Sequence, residues 1–131
     1  MRFKVGINFK NACDLQKVAG WLHYYKSGYF ALDKIKNKLI RVFGHNVFDV
    51  INMHWSAVEK LCLALIKMYD RSGKDNPVFE IEDDGGYYIL IKDLDDGTVY
   101  RVFAWQFADS KLFEPELIED EDFITAYNSE D

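Results

Sequence analysis

Pro77-Val78-Phe79-Glu80-Ile81-Glu82-Asp83-Asp84-Gly85-Gly86-Tyr87-Tyr88-Ile89-Leu90-Ile91-Lys92-Asp93-Leu94-Asp95-Asp96-Gly97-Thr98-Val99-Tyr100 is the stretch that decides the fold. Its β-rich runs, 78–82 and 87–93, are each followed by Asp-Asp-Gly, in the first case directly and in the second after Leu94, and a third run at 98–107 comes next. Aspartate tolerates right-handed turn angles and glycine supplies the positive-φ position, so both breaks read as hairpin turns, with Gly85 and Gly97 left-handed. The third run is apolar on both sides, Val99, Phe103, Trp105 and Phe107 against Tyr100, Val102 and Ala104. That suits an interior strand, or one whose outer face meets a partner.

Working outward, residues 2–9 alternate Phe3, Val5, Ile7 and Phe9 against Arg2, Lys4, Gly6 and Asn8, the period of an amphipathic strand. If this strand pairs beside 78–82, Lys4 faces Glu80 or Glu82, and opposite charges across strands contribute ~0.2–1 kcal/mol. Between the two lie three helical patterns. Asn11 caps a helix over 12–25 that carries Leu15, Val18, Leu22 and Tyr25. A second, over 30–43, sets Leu32, Ile35, Leu39, Val42 and Phe43 against Lys34, Lys38 and Arg41, and Gly44 stops it. The third, over 46–70, has one stripe at Val47, Ile51, His54, Val58, Leu61, Leu65 and Met68 and another at Phe48, Trp55, Cys62 and Tyr69. Two adjoining stripes predict a central helix packed against both sheet and helices, with His54 a core imidazole and Ile51, Trp55, Val58, Leu61, Cys62 and Leu65 buried together.

The predicted architecture is α+β, one domain over 1–131. About four antiparallel strands, the N-terminal one plus a C-terminal meander, pack against three helices that cover one face. The acidic segment 108–131 ends as a short helix or a strapped-down tail. At 131 residues with 49% hydrophobic and 29% charged side chains, the chain has the composition of a globular domain. It has no apolar run of membrane-spanning length. Its first ten residues mix charge with apolar side chains and so lack a signal-peptide core, and two cysteines make no disulfide scaffold. A cytoplasmic setting is expected.

Charge divides along the chain. Residues 1–70 carry a balance of +6 and residues 71–131 a balance of −12. An acidic half repels phosphate, so direct nucleic-acid binding is not expected even though Lys34, Lys36, Lys38 and Arg41 share one helix. Catalytic patterns break down at deciding positions. In a calcium loop starting at Asp93, glycine would stand sixth and glutamate twelfth, where Thr98 and Ala104 are found. A metal-dependent nuclease hairpin needs a carboxylate two residues before its lysine, and Leu90 stands there before Lys92. Motifs for zinc, dinucleotides and serine hydrolases are missing, so no cofactor is expected.

The profile left is a small acidic binding protein without catalysis. Toxin-immunity proteins and phage anti-defence proteins of the anti-CRISPR kind share it: each blocks a basic, nucleic-acid-handling enzyme or nucleoprotein complex stoichiometrically. The candidate partner contacts are Glu80, Glu82, Asp83 and Asp84 at one hairpin, Asp93, Asp95 and Asp96 at the next, and Glu119, Asp120, Glu121 and Asp122 in the tail. Tyr87, Tyr88 and Tyr100 are the candidate aromatic anchors. Two rival readings are a dimeric adaptor that uses a sheet face holding Tyr88, Tyr100 and Trp105, and an enzyme with a site assembled from Cys13 or Cys62, a histidine and carboxylates.

Overall fold

In the computed structural model of the protein, residues 2–25, 32–44, 47–84, 88–103 and 115–129 are described, apart from the side chains of Tyr25 and Asp84. The chain runs β1 (Arg2–Gly6), α1 (Phe9–Tyr25), α2 (Leu32–Phe43), α3 (Val47–Ile51) and α4 (Trp55–Ser72). It continues with β2 (Val78–Asp84), β3 (Tyr88–Asp93), β4 (Val99–Phe103), β5 (Glu116–Leu117) and α5 (Glu121–Ser129). The fold is α+β, with one five-stranded antiparallel sheet in the order β1-β2-β3-β4-β5. The N-terminal strand pairs beside β2 as expected, and Lys4 stands directly opposite Glu80, with Arg2 opposite Glu82.

Alternation along the strands gives the sheet two apolar faces. Phe3, Val5, Phe79, Ile81, Ile89, Ile91 and Val102 join the main core with α1, α2, α3 and α4. Leu90 and Val99 point the other way and meet Tyr127, Phe123 and Ile124 of α5. α4 packs on β3 and β4, α2 reaches β1, and α1 lies against both α4 and α2. Val58, Leu61, Cys62, Ala64 and Leu65 are fully buried, so α4 is the predicted central helix, while Ile51 and Trp55 pack at its margin.

Several local boundaries differ from the sequence reading, each for an identifiable reason. The long helix over 46–70 is two helices. His54 leaves the helix at φ −59° and ψ 143° and caps α4, its Nδ1 accepting the Ser56 N–H at 3.2 Å. A continuous helix would have buried the imidazole; the break exposes His54 and turns Met53 into the core instead. Phe48, placed on the second stripe, is 60% exposed for the same reason: α3 follows its own phase. The first helix is capped by Asn8 rather than Asn11, the Asn8 side-chain oxygen accepting the Asn11 N–H at 3.0 Å. That ends β1 at Gly6 and leaves Phe9 exposed. Gly44 and Gly97 take the positive φ expected of them, 63° and 78°; Gly85 lies outside the described residues.

The tail forms a short strand and a helix, and α5 covers the sheet face opposite the other four helices. Arg2 fixes it there. Its guanidinium lies 4.1 Å from the Tyr127 ring centre, Nη2 donates to the Tyr127 carbonyl oxygen, and Nε donates to Glu82 at 3.2 Å. The Tyr127 hydroxyl reaches Glu80 at 3.4 Å, and Lys92 donates to Asn128 at 2.6 Å. Burial raises the Tyr127 phenol above its ordinary range, and the Glu80 carboxylate adds to the shift. A folded value above the unfolded one stabilises the fold fully below about pH 10, and that contribution is lost as pH rises further. The alkaline limb of a denaturation series should therefore fall earlier in the parent than in Tyr127→Phe, which has no such proton to lose. Coincident limbs would show that the phenol is not coupled to folding.

Candidate functional site

The six residues of β3 separate its two ends by roughly 17 Å at about 3.3 Å per residue, so the candidate acids divide into two groups. At one end are Asp83 and Asp84, which open the connection from β2 to β3. Asp83 is half-buried in register with Ile89 and has an interaction of its own within the protein. Tyr87 and the Asp84 side chain lie outside the described residues. Glu80 and Glu82 belong to neither end. They sit mid-strand beneath α5, with side chains 13% and 19% exposed, and both pair with Arg2. Their charge is engaged inside the molecule.

The other end gathers what the sequence keeps apart. β3 and β4 are joined by a tight turn in which Gly97 N–H bonds the Asp93 carbonyl at 2.8 Å. Asp93 Oδ1 accepts the Asp95 N–H at 2.9 Å. Asp96 Oδ1 accepts both the Thr98 N–H at 2.9 Å and the Thr98 hydroxyl at 2.7 Å. β5 then returns along β4, and Ile118 N–H bonds the Val99 carbonyl at 2.9 Å, two residues past that turn. Glu119, Asp120, Glu121 and Asp122 follow immediately and are exposed at the same end of the sheet. Asp120 caps α5, its Oδ1 accepting the Asp122 and Phe123 N–H groups at 3.0 and 3.3 Å. Acids more than twenty residues apart thus share one rim, brought together by the β4–β5 backbone pairing.

The electrostatics follow from those bonds. The Thr98 hydrogen bonds hold the Asp96 carboxyl below its ordinary range, so it keeps its charge in mildly acidic solution. Lys74, in the loop after α4, donates to Asp95 at 2.5 Å. That hydrogen bond, with the charges of Asp95, Asp93 and Asp96, raises its ammonium above the usual range. Between the turn and α4 runs a groove of about 260 Å³. Met68, Ser72 and Lys74 form one side of it and Asp93, Asp96 and Tyr100 the other, with Arg71 also bordering it. Sequence reading singled out Asp93, Asp96 and Tyr100 but not their neighbours from α4. Their only signal was a polar loop after a helix.

The remaining candidates are scattered. Tyr88 and Tyr100 point to opposite sheet faces, Tyr88 with the α5 cluster and Tyr100 with the main core, so they form no common surface. The sheet face that the three predicted helices would leave uncovered carries α5, and Trp105 lies outside the described residues. Cys62 is buried and its thiol pushed well up by desolvation, which opposes thiolate formation. Among the histidines, His54 caps α4, His23 Nδ1 lies 3.3 Å from Glu59, and His45 is outside the described residues. Among the described residues no group of three His, Cys, Asp or Glu is placed to hold a metal ion, and no helix is long and apolar enough to cross a membrane. On the basic helix, Lys38 is bonded to Asp14 at 3.1 Å and Lys36 lies over the Phe48 ring, which breaks the row of cations. Comparison of the chain with protein-family models, with curated proteins and with solved structures finds no match.

Proposed function

We propose that this chain is a binding protein whose acidic sheet end docks on a basic, nucleic-acid-handling protein and blocks it without turnover. The observation that carries this reading is the meeting of the β3–β4 turn aspartates with the acids that open α5. Surfaces that track phosphate are rich in Lys and Arg, and a cluster of carboxylates, with Asp93, Asp96 and Asp120 held by backbone N–H groups, opposes them in charge. Rigidity matters because acids held in turns lose little side-chain entropy on docking. The field reaches about 8 Å at physiological ionic strength, so complementarity acts mainly on the rate of association.

The test leaves the capping residues in place. Asp95→Lys, Glu119→Lys and Glu121→Lys together reverse the rim while Asp93, Asp96 and Asp120 continue to hold the backbone. The parent chain is expected to retain a basic protein from lysate of its own host, to release it as salt is raised, and to inhibit that protein's action on nucleic acid at a one-to-one ratio. The triple variant should keep its circular dichroism and bind at least tenfold more weakly, about 1.4 kcal/mol or more. Equal capture and inhibition by the variant would reduce the acids to a solubilising surface.

A further inference from the structure

The sheet has two edges: β5 forms one with two residues, and β1 forms the other along five. An edge strand carries backbone groups that its neighbour does not take up, and a second chain can pair with them. Ile7 N–H bonds the Pro77 carbonyl at 2.9 Å, and the register sets Phe3 opposite Ile81 and Val5 opposite Phe79. Bonding alternates along an antiparallel ladder, so Phe3, Val5 and Ile7 turn their main-chain groups to β2 while Arg2, Lys4 and Gly6 present theirs outward. The Asn11 side-chain amide donates to the Gly6 carbonyl at 3.1 Å and ends the row. Lys4 N–H, Lys4 C=O and Gly6 N–H have no partner among the described residues. We infer that this edge accepts an extended acidic segment of another protein as a sixth strand. It lies in the basic half of the chain and is independent of the docking reading above.

Lys4 selects the charge of that segment. It stands opposite Glu80, yet the two form no ion pair, because Glu80 turns to Arg2 at 3.8 Å and to the Tyr127 hydroxyl at 3.4 Å. The Lys4 ammonium is exposed and has no ionic partner among the described residues. Lys10, beside Asn11, and Arg41 on α2 are exposed and unpaired in the same sense. α2 flanks the strand, the Phe43 ring meeting Phe3 edge-on at 5.8 Å. A strand bonded to Lys4 sets its opposing side chain beside the ammonium, where a carboxylate is attracted and a cation repelled. The residues on either side of that one point to the face of Phe3 and Val5, so alternating acidic and apolar residues fit. A second copy of β1 pairing about the same point would set Lys4 against Lys4, which is unfavourable. The lysine thus guards the edge against its own kind and leaves it open to acidic strands.

The probe is a capped hexapeptide of alternating glutamate and valine titrated into the isotope-labelled full chain, with the lysine–valine peptide as the charge control. The glutamate peptide should shift the Lys4 and Gly6 amides saturably and slow their hydrogen exchange about fivefold or more. Phe3 and Val5, already bonded to β2, should change little, and the lysine peptide should leave all four in place. Lys4→Glu keeps both main-chain groups and should weaken the glutamate peptide several-fold, whereas Lys34→Glu, an equal charge change at the far end of α2, should not. Lys4→Pro removes the outward N–H at a position where an edge strand tolerates proline, and should abolish the protection of Gly6 with circular dichroism unchanged. If the proline variant loses its fold, Lys4→Glu decides alone. A Lys4 N–H already protected in the dilute free chain would mean that the edge is closed and would overturn the inference. So would equal responses to the two peptides, shifts that never saturate, or equal losses in the two glutamate variants. Protection of Lys4 and Gly6 that grows with protein concentration, together with a dimer in sedimentation, would assign the edge to a second copy of this chain and overturn the acidic partner.

Discussion

Leu61→Ala is expected to remove about 2–5 kcal/mol of stability, a large share of the ~5–15 kcal/mol that a domain of this size possesses. Leu61 is fully buried on α4, the helix that touches both the sheet and α1, so the vacated volume is walled by elements that cannot all close in at once. With a urea dependence of about 1–3 kcal/mol per molar, the midpoint should fall on the order of 1–2 M. Ile40→Ala, on the exposed side of α2, is the matched control and should stay within about 0.5 kcal/mol of the parent. A midpoint for Leu61→Ala as high as that of the control would mean that α4 is not the centre of the fold.

The second large effect is an asymmetry. Asp14 on α1 has a side chain only 6% exposed, and its one ion-pair partner among the described residues is Lys38 on α2, which is 20% exposed. Asp14 Oδ2 has no hydrogen-bond partner among the described residues. Taking away Lys38 strands a buried carboxylate; taking away Asp14 leaves a lysine that can swing its ammonium into water. Lys38→Met should thus cost about 2–3 kcal/mol, below the ~3–5 kcal/mol of a fully buried broken pair because Lys38 is partly solvated. Asp14→Asn should cost less than half as much, and Asp14→Leu with Lys38→Met should recover most of the loss. Paired melts of the three variants measure this directly. Equal costs for the two single changes would mean that the pair contributes through geometry rather than through desolvation of Asp14.

The same two residues show how sequence patterns and tertiary position diverge. Lys34, Lys38 and Arg41 fall on one helical face by spacing alone, and the spacing is real: α2 spans all three. Nothing in that spacing reveals that Lys38 lies against Asp14 of another helix. Glu80 and Glu82 tell a similar story. Their alternation with Phe79 and Ile81 placed them outside the main core, and they are. The surface they were taken to occupy is instead roofed by α5 and neutralised by Arg2, eighty residues away from Glu82 in sequence.

What the sequence by itself determined is everything written in local periodicity and turn chemistry. Period-two runs broken by Asp and Gly specified the meander, Phe3 and Val5 against Arg2 and Lys4 specified β1 and its facing, and the apolar stripes specified α1, α2 and the burial of α4. Pairing β1 beside β2 with their apolar faces together left Glu80 or Glu82 as the residue opposite Lys4, and the tertiary register selects Glu80. Only the tertiary structure decided which acids share a rim. That depends on β5 returning beside β4 to place Glu119 next to the Asp93–Gly97 turn, and on α4 ending across from it to form the groove. It also decided that His54 breaks a helix rather than filling a core, since the choice between burying an imidazole and burying Met53 is made by the space between α3, α4 and their neighbours. Local patterns fix which side of an element is apolar; which elements then meet is a long-range packing outcome that no window of the chain contains.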